Sequence, residues 1–203
     1  MEQISKLNHT ELQSRAGIRV RNGELIDDPA ERQLLYEWAE SDLELALSQQ
    51  PYDPTPLEGL SHLYISWGDR TQSIEERTKK YHQALDQINR AISLSPGLGY
   101  LHHRKGDLLV RMGHFEEAVN ILQVAISLDP DYLPGYQSLG DLVYLLAEIE
   151  REKKQFEKAL EYYRKALKVF STATDIRPDF EKGIRAREEI LDRIKDLKSD
   201  GDS

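Results

Sequence analysis

A chain of 203 residues, 39% of them hydrophobic, is long enough for one substantial core and too short for several independent ones. It contains no cysteine, which excludes disulfides, thiolate nucleophiles and sulfur-based zinc sites and fits a cytoplasmic location. Its net charge of −9 argues against nucleic acid as a partner, because phosphate binding draws on clustered Lys and Arg to release counterions.

Helix formers dominate, with only 8 prolines and 12 glycines in the whole chain, and the sequence predicts helices throughout. Met1 to Lys6 lacks a signal-peptide core, and no stretch approaches the roughly 20 apolar residues that span a bilayer, so a soluble, unexported chain without membrane insertion is expected. The first helix is placed near 8–20. The second, near 29–50, is opened by Asp28-Pro29-Ala30-Glu31: an N-cap, a proline at the first helical position and a capping-box glutamate. A third follows near 55–67, then a loop Arg70 to Ser73, and Ser73 caps a fourth near 74–95. Further helices are expected near 99–112, 115–129, 134–152, 155–176 and 179–198, and the tail 199–203 is expected to be disordered. Pro51, Pro96, Pro130 and Pro178 end the even-numbered helices, since a residue preceding proline is pushed out of the α region.

The chain repeats itself. Ala84, Ala91 and Pro96 recur 34 residues later as Ala118, Ala125 and Pro130. The set also appears upstream as Ala39, Ala46 and Pro51, and downstream as Ala159 and Ala166. Partner helices carry Leu57-x-x-Leu60-Ser61-x-x-Tyr64, His102-x-x-Lys105-Gly106-x-x-Leu109 and Tyr136-x-x-Leu139-Gly140-x-x-Val143. On these residues the chain resembles the tetratricopeptide-repeat (TPR) family.

That resemblance implies an all-α fold: a right-handed superhelix of antiparallel helix pairs, closed by a C-terminal capping helix. One domain, 1–203, is expected, with units near 8–53, 54–98, 99–132 and 133–178 and the cap at 179–198; the first helix shows no clean family match. Ser61, Gly106 and Gly140 leave room for the facing helix, Ala84, Ala118 and Ala159 answer them, and Leu43, Ile88, Leu122 and Tyr163 fill the layer between. Ile184, Ile190, Leu191, Ile194 and Leu197 form the apolar stripe of the cap. The fourth unit is longer by about seven residues in each helix, which adds about two turns without rotating the facing stripe and raises a wall of roughly 10 Å. Such a wall improves the end cap or offers a ledge to a partner.

Nothing in the sequence points to catalysis, and no enzyme is expected. There is no phosphate loop, nucleophile elbow or zinc-protease motif. His102 and His103 are neighbours on a helix, about 100° apart, and cannot chelate one ion, so neither a metal nor another cofactor is expected. Acidic pairs such as Glu116-Glu117 read as solvated helix faces. Trp38, Trp67, Tyr162 and Tyr163 read as core.

By the resemblance, first helices line a concave groove, and the groove-facing set is Glu58, His62, Ile65, Tyr100, His103, Arg104, Asp107, Arg111, Gln137, Asp141 and Tyr144. In the same register His102 packs between helices while His103 meets solvent or ligand. The family's chaperone adaptors clamp a carboxylate at positions that here read Glu58, His62, Arg104, Pro134 and Ser138, of which only Arg104 keeps the chemistry. The expected function is a scaffold holding a peptide segment or helix of a protein partner in the groove. The alternative is a homo-oligomer assembled through the long C-terminal helices.

Overall fold

The computed structural model describes residues 7–201, with side chains described to Leu197. Among the described residues all regular structure is helical: α1 (His9–Leu25), α2 (Pro29–Gln49), α3 (Pro54–Arg70), α4 (Ile74–Leu94), α5 (Gly99–Arg111), α6 (Phe115–Leu128), α7 (Leu133–Glu152), α8 (Phe156–Ile176) and α9 (Glu181–Gly201). The expected first helix is extended by five residues, and the loop expected to begin at Arg70 begins at Thr71. The tail expected from 199 is helical to Gly201, because α9 continues without a breaker; residues 202–203 lie outside the described residues.

Loop lengths expose a regularity. The loops inside the four pairs, 26–28, 71–73, 112–114 and 153–155, are each three residues long. Those leading out of each pair, 50–53, 95–98, 129–132 and 177–180, are each four, with proline second in every one. All length variation therefore sits in the helices. α7 and α8, with 20 and 21 residues, exceed α5 and α6, with 13 and 14, by seven each.

Starts and stops have local causes. Asp28 accepts from the backbone N–H groups of Ala30 and Glu31, but the reciprocal capping box forms at Asn8 and Glu11 instead, one helix earlier than expected. Ser73 caps α4 by accepting from Glu76 N. Two of the three-residue loops close identically: His114 N donates to Leu109 O, and Gln155 N to Glu150 O, through a left-handed residue that is Gly113 (φ 78°) in one and Lys154 (φ 58°) in the other.

The chain forms two compact units, Met1–Gly97 and Leu98–Ser203, divided where the second repeat gives way to the third. In the first, α1 pairs with α2 and α3 with α4, and α1 also lies against α3. Asp42, 2% exposed, is held by Arg15 (2.5 Å) and by Arg19. Trp38, expected in the core, is 51% exposed beneath the Arg19 guanidinium, while Trp67 is half-buried with the Lys80 ammonium 3.2 Å above its ring.

In the second unit α5 pairs with α6, α7 with α8, and α9 packs on α8. Leu122, Tyr163, Ala118, Ala125, Ala159 and Ala166 are fully buried. A cluster of Leu133, Tyr136 and Ala173 takes in Val169 and Phe180 and ties the start of α7 to the end of α8. From α9, Ile190 and Leu197 are buried, whereas Ile184 and Leu191, expected in the same stripe, stay exposed because they fall on the flank of the helix away from α8.

Small residues let the pairs close. A Cβ on Gly106 would stand 2.6 Å from Leu122, and one on Gly140 2.4 Å from the Phe170 ring. In the first unit Gly23 and Gly68 do the same against Tyr36 and Tyr81, at 2.5 and 2.8 Å. The first pair is thus built like the others, although its sequence showed no clean match.

Candidate functional site: the first-helix face of the C-terminal unit

α5 and α7 lie side by side in the second unit, and eight of the nine expected site residues sit on them. The ninth, His62, is half-buried on α3 in the first unit, with Glu58 and Ile65.

His103 departs from expectation. Instead of facing solvent it is 8% exposed, with its ring edge-on to Tyr132 at 5.3 Å. Its Nε2 lies 2.9 Å from Ser138 Oγ and 3.3 Å from Asp107 Oδ2, and Nδ1 lies 3.1 Å from the Tyr132 hydroxyl. A neutral ring accepts Tyr132 O–H at Nδ1 and shares its single Nε2–H between Ser138 Oγ, the nearer, and Asp107. Burial pushes the imidazole below its ordinary range and outweighs the upward pull of Asp107. His103 therefore fastens α5 to α7, and Ser138, one of the clamp positions, is spent on it.

Below this fastening the face opens into a pocket of about 300 Å³ bounded by Asp107 and Arg111 of α5 and Asp141, Leu142 and Leu145 of α7. Three of the expected residues are brought together here. Asp141 keeps an exposed surface, yet the protein around it displaces enough water to push its carboxyl upward, against a hydrogen bond from Gln137 and the charge of Lys182. Leu145 presents 41% of its surface at the rim. Arg104 and Arg111 are exposed and Tyr100 half-buried, and all three take part in interactions within the chain.

Tyr144, expected to offer open contact area, is instead covered by α9. Its hydroxyl donates to Glu189 (2.7 Å) and accepts from Arg193 Nε (3.3 Å), and its ring stands 5.8 Å from that of Tyr163. Burial and the Glu189 carboxylate push the phenol upward. One turn on, Glu148 accepts from the Tyr163 hydroxyl, pairs with Arg151 at 2.6 Å and lies 3.7 Å from Arg193. Glu189 and Arg193, four apart on α9, had only their spacing to mark them. Tyr132 lay in a loop with no signal at all.

The family pattern described as "Tetratricopeptide repeat" matches residues 100–132 and 140–180. The chain is a tetratricopeptide-repeat protein. Mouse superkiller complex protein 3 is 28% identical over 141 residues, covering 70% of this chain and 8% of that protein. A TPR repeat-containing protein of Methanocaldococcus jannaschii is 33% identical over 94 residues, 46% of this chain and 16% of the other. The wheat Hsp70-Hsp90 organizing protein is 26% identical over 133 residues, 65% and 20%. This chain thus spans only a small part of these relatives. The crystal structure of a thermophilic TPR protein of Thermus thermophilus superposes with a TM-score of 0.58 at 20% identity, covering 81% of this chain and 82% of that one, and so shares the TPR fold. The second family match opens at Gly140, seven residues past the start of α7, so the face on α7 continues from Gln137 and Asp141 through Tyr144 to Glu148 in one helical phase.

Proposed function

We propose that this TPR protein is an interaction scaffold that holds an extended segment or a helix of a protein partner against the first-helix face of α5 and α7. The observation that carries the reading is the pocket between these helices, where Asp107, Arg111 and Asp141 surround the exposed apolar edge of Leu145. Charges of both signs around an apolar floor suit a polypeptide, whose backbone and side chains offer donors, acceptors and apolar area together. Kinship with scaffold-type relatives supports the same role. The proposal assigns binding and no catalysis, takes the chain as cytoplasmic, and includes Tyr100, Arg104 and Gln137 among contacting residues. It excludes the two-carboxylate clamp of chaperone adaptors, because of the clamp positions only Arg104 keeps the chemistry, and Glu58 and Pro134 offer a carboxylate no side-chain donor.

A photo-crosslinking amino acid at Leu145 should capture a protein partner from native cytosol. Arg104→Glu with Arg111→Glu should then weaken the purified partner's affinity more than tenfold with helical circular dichroism unchanged. Equal affinity in the double variant would remove the site from this face.

A further inference from the structure

A second cleft lies on the opposite side of α7, between α6 and α8, and encloses about 600 Å³. Its floor is one stripe of α7, in which Tyr136, Leu139 and Val143 are buried and Leu146 is half-buried. These follow helical spacing over ten residues, about 15 Å at 1.5 Å per residue, or nearly three turns. Val119 and Ile126 of α6 and Tyr162 and Val169 of α8, all half-buried, form apolar walls. A trough with a helical floor and apolar helical walls suits the apolar edge of one more helix.

The charges on the two walls differ. Lys165 and Lys168 line the α8 wall and are exposed. Lys165 pairs with Glu161 at 2.6 Å, but that pair is more than half exposed on both sides and contributes little. Lys168 has no ion-pair partner among the described residues. On the α6 wall, Glu116 at one end is followed by neutral Asn120 and Gln123. In a chain of net charge −9, a cationic wall over an apolar trough is a local exception. Two copies of so acidic a chain repel one another, so the charge favours a different partner.

We infer that this outer cleft is a second protein-docking site, which takes an amphipathic helix with apolar residues at i, i+3 and i+7 set between the half-buried apolar walls of α6 and α8, above Leu146, and carboxylates on the flank facing Lys165 and Lys168. The site is independent of the first-helix face. Its partner therefore binds together with a segment held there.

The test is a phage library of helix-locked 14-residue peptides with Leu fixed at i, i+3 and i+7 and the flanks randomised, panned on the full chain. Enriched peptides should carry Asp or Glu on one flank. Their synthetic forms should bind at least tenfold more weakly to Lys165→Glu/Lys168→Glu and to Val119→Glu, and unchanged to Arg111→Glu. Replacing the peptide's carboxylates by lysine should restore binding to the double charge-reversed variant, which keeps the surface nature of both positions and so folds normally. No enrichment, enrichment without acidic flanks, or affinity insensitive to the lysines would overturn the proposal. So would a dimer of the wild-type chain in light scattering that Lys165→Glu/Lys168→Glu abolishes, because the cleft would then belong to a second copy.

Discussion

Replacing Gly140 by alanine tests the closeness of the α7–α8 pair. The added Cβ would lie 2.4, 2.6 and 2.9 Å from three atoms of the Phe170 ring. Carbon atoms rest at about 3.5–4.0 Å, so the ring must retreat by roughly 1 Å. Phe170 is 1% exposed, so its ring can retreat only further into the core. Overpacking of this kind costs about 1–3 kcal/mol, against a gain of about 1 kcal/mol from replacing glycine in a helix interior. We expect a net loss of up to about 2 kcal/mol, a fall in Tm of up to about 8 °C for a chain of this size. Gly17→Ala is the control: its Cβ would meet only the tip of Arg21 at 3.9 Å, so the helix term acts alone and stability should rise by about 1 kcal/mol. Urea and thermal melts of both variants, with Phe170→Leu added to Gly140→Ala, complete the experiment. In the double-mutant cycle the smaller side chain should recover about 1 kcal/mol through coupling. If Gly140→Ala alone proves as stabilising as Gly17→Ala, the helices are not held at this distance.

Lys154 occupies the left-handed position that Gly113 holds in the preceding repeat, with the same loop length and hydrogen bonds, so Lys154→Gly should raise stability by about 1 kcal/mol in urea melts; a loss would show that the lysine's own contacts outweigh its strain. His103 supplies a pH dependence of defined sign. Because burial lowers its folded-state pKa, the unfolded chain binds the proton more readily; the contribution is intact above the unfolded value of about 6.5 and is lost as pH falls from there through the folded value. Stability of the wild type measured from pH 7.5 downward should therefore fall more steeply than that of His103→Gln, by no more than about 1.4 kcal/mol per pH unit for one proton. Parallel curves would refute a buried neutral imidazole.

The fold was legible because its determinants are local and periodic. Alanine, proline and small residues at spacing 34 mark helix contacts and helix ends, and the seven-residue extension of α7 and α8 followed from late arrival of the same landmarks. The first pair was less legible, although a signal existed. Gly23 and Tyr36 recur as Gly68 and Tyr81, each 45 residues on, the offset already seen from Ala39 to Ala84. The site was read only in outline. Register places Asp107, Arg111 and Asp141 on one face, and the pocket gathers them. It cannot say which residues on that face will be consumed by another part of the chain. His103 is taken by Ser138 and Tyr132, 35 and 29 residues away, and Tyr144 by Glu189 and Arg193, 45 and 49 away. Such pairings depend on the relative placement of elements, which no local pattern encodes.

The seven-residue extension explains why the face divides as it does. A heptad keeps α7 in phase with itself, so Gln137, Asp141, Tyr144 and Glu148 form one continuous row rather than two offset ones. The end of that row, two turns beyond Asp141, meets α9, which answers it with a carboxylate and a guanidinium at matching spacing. A chain ending its repeats with an ordinary-length pair would leave those tyrosine and glutamate groups no second layer of partners. Here the added turns serve as the seat of the cap, and the raised wall expected from the sequence is occupied by the chain itself. On the first-helix face of this unit, the pocket is bounded by the His103 fastening on one side and by Tyr144 beneath α9 on the other. In the proposed binding mode a segment would meet Asp107, Arg111, Asp141 and Leu145, and substitutions there should affect binding far more than equal changes at Glu148 or Arg193, whose loss would act first on the cap.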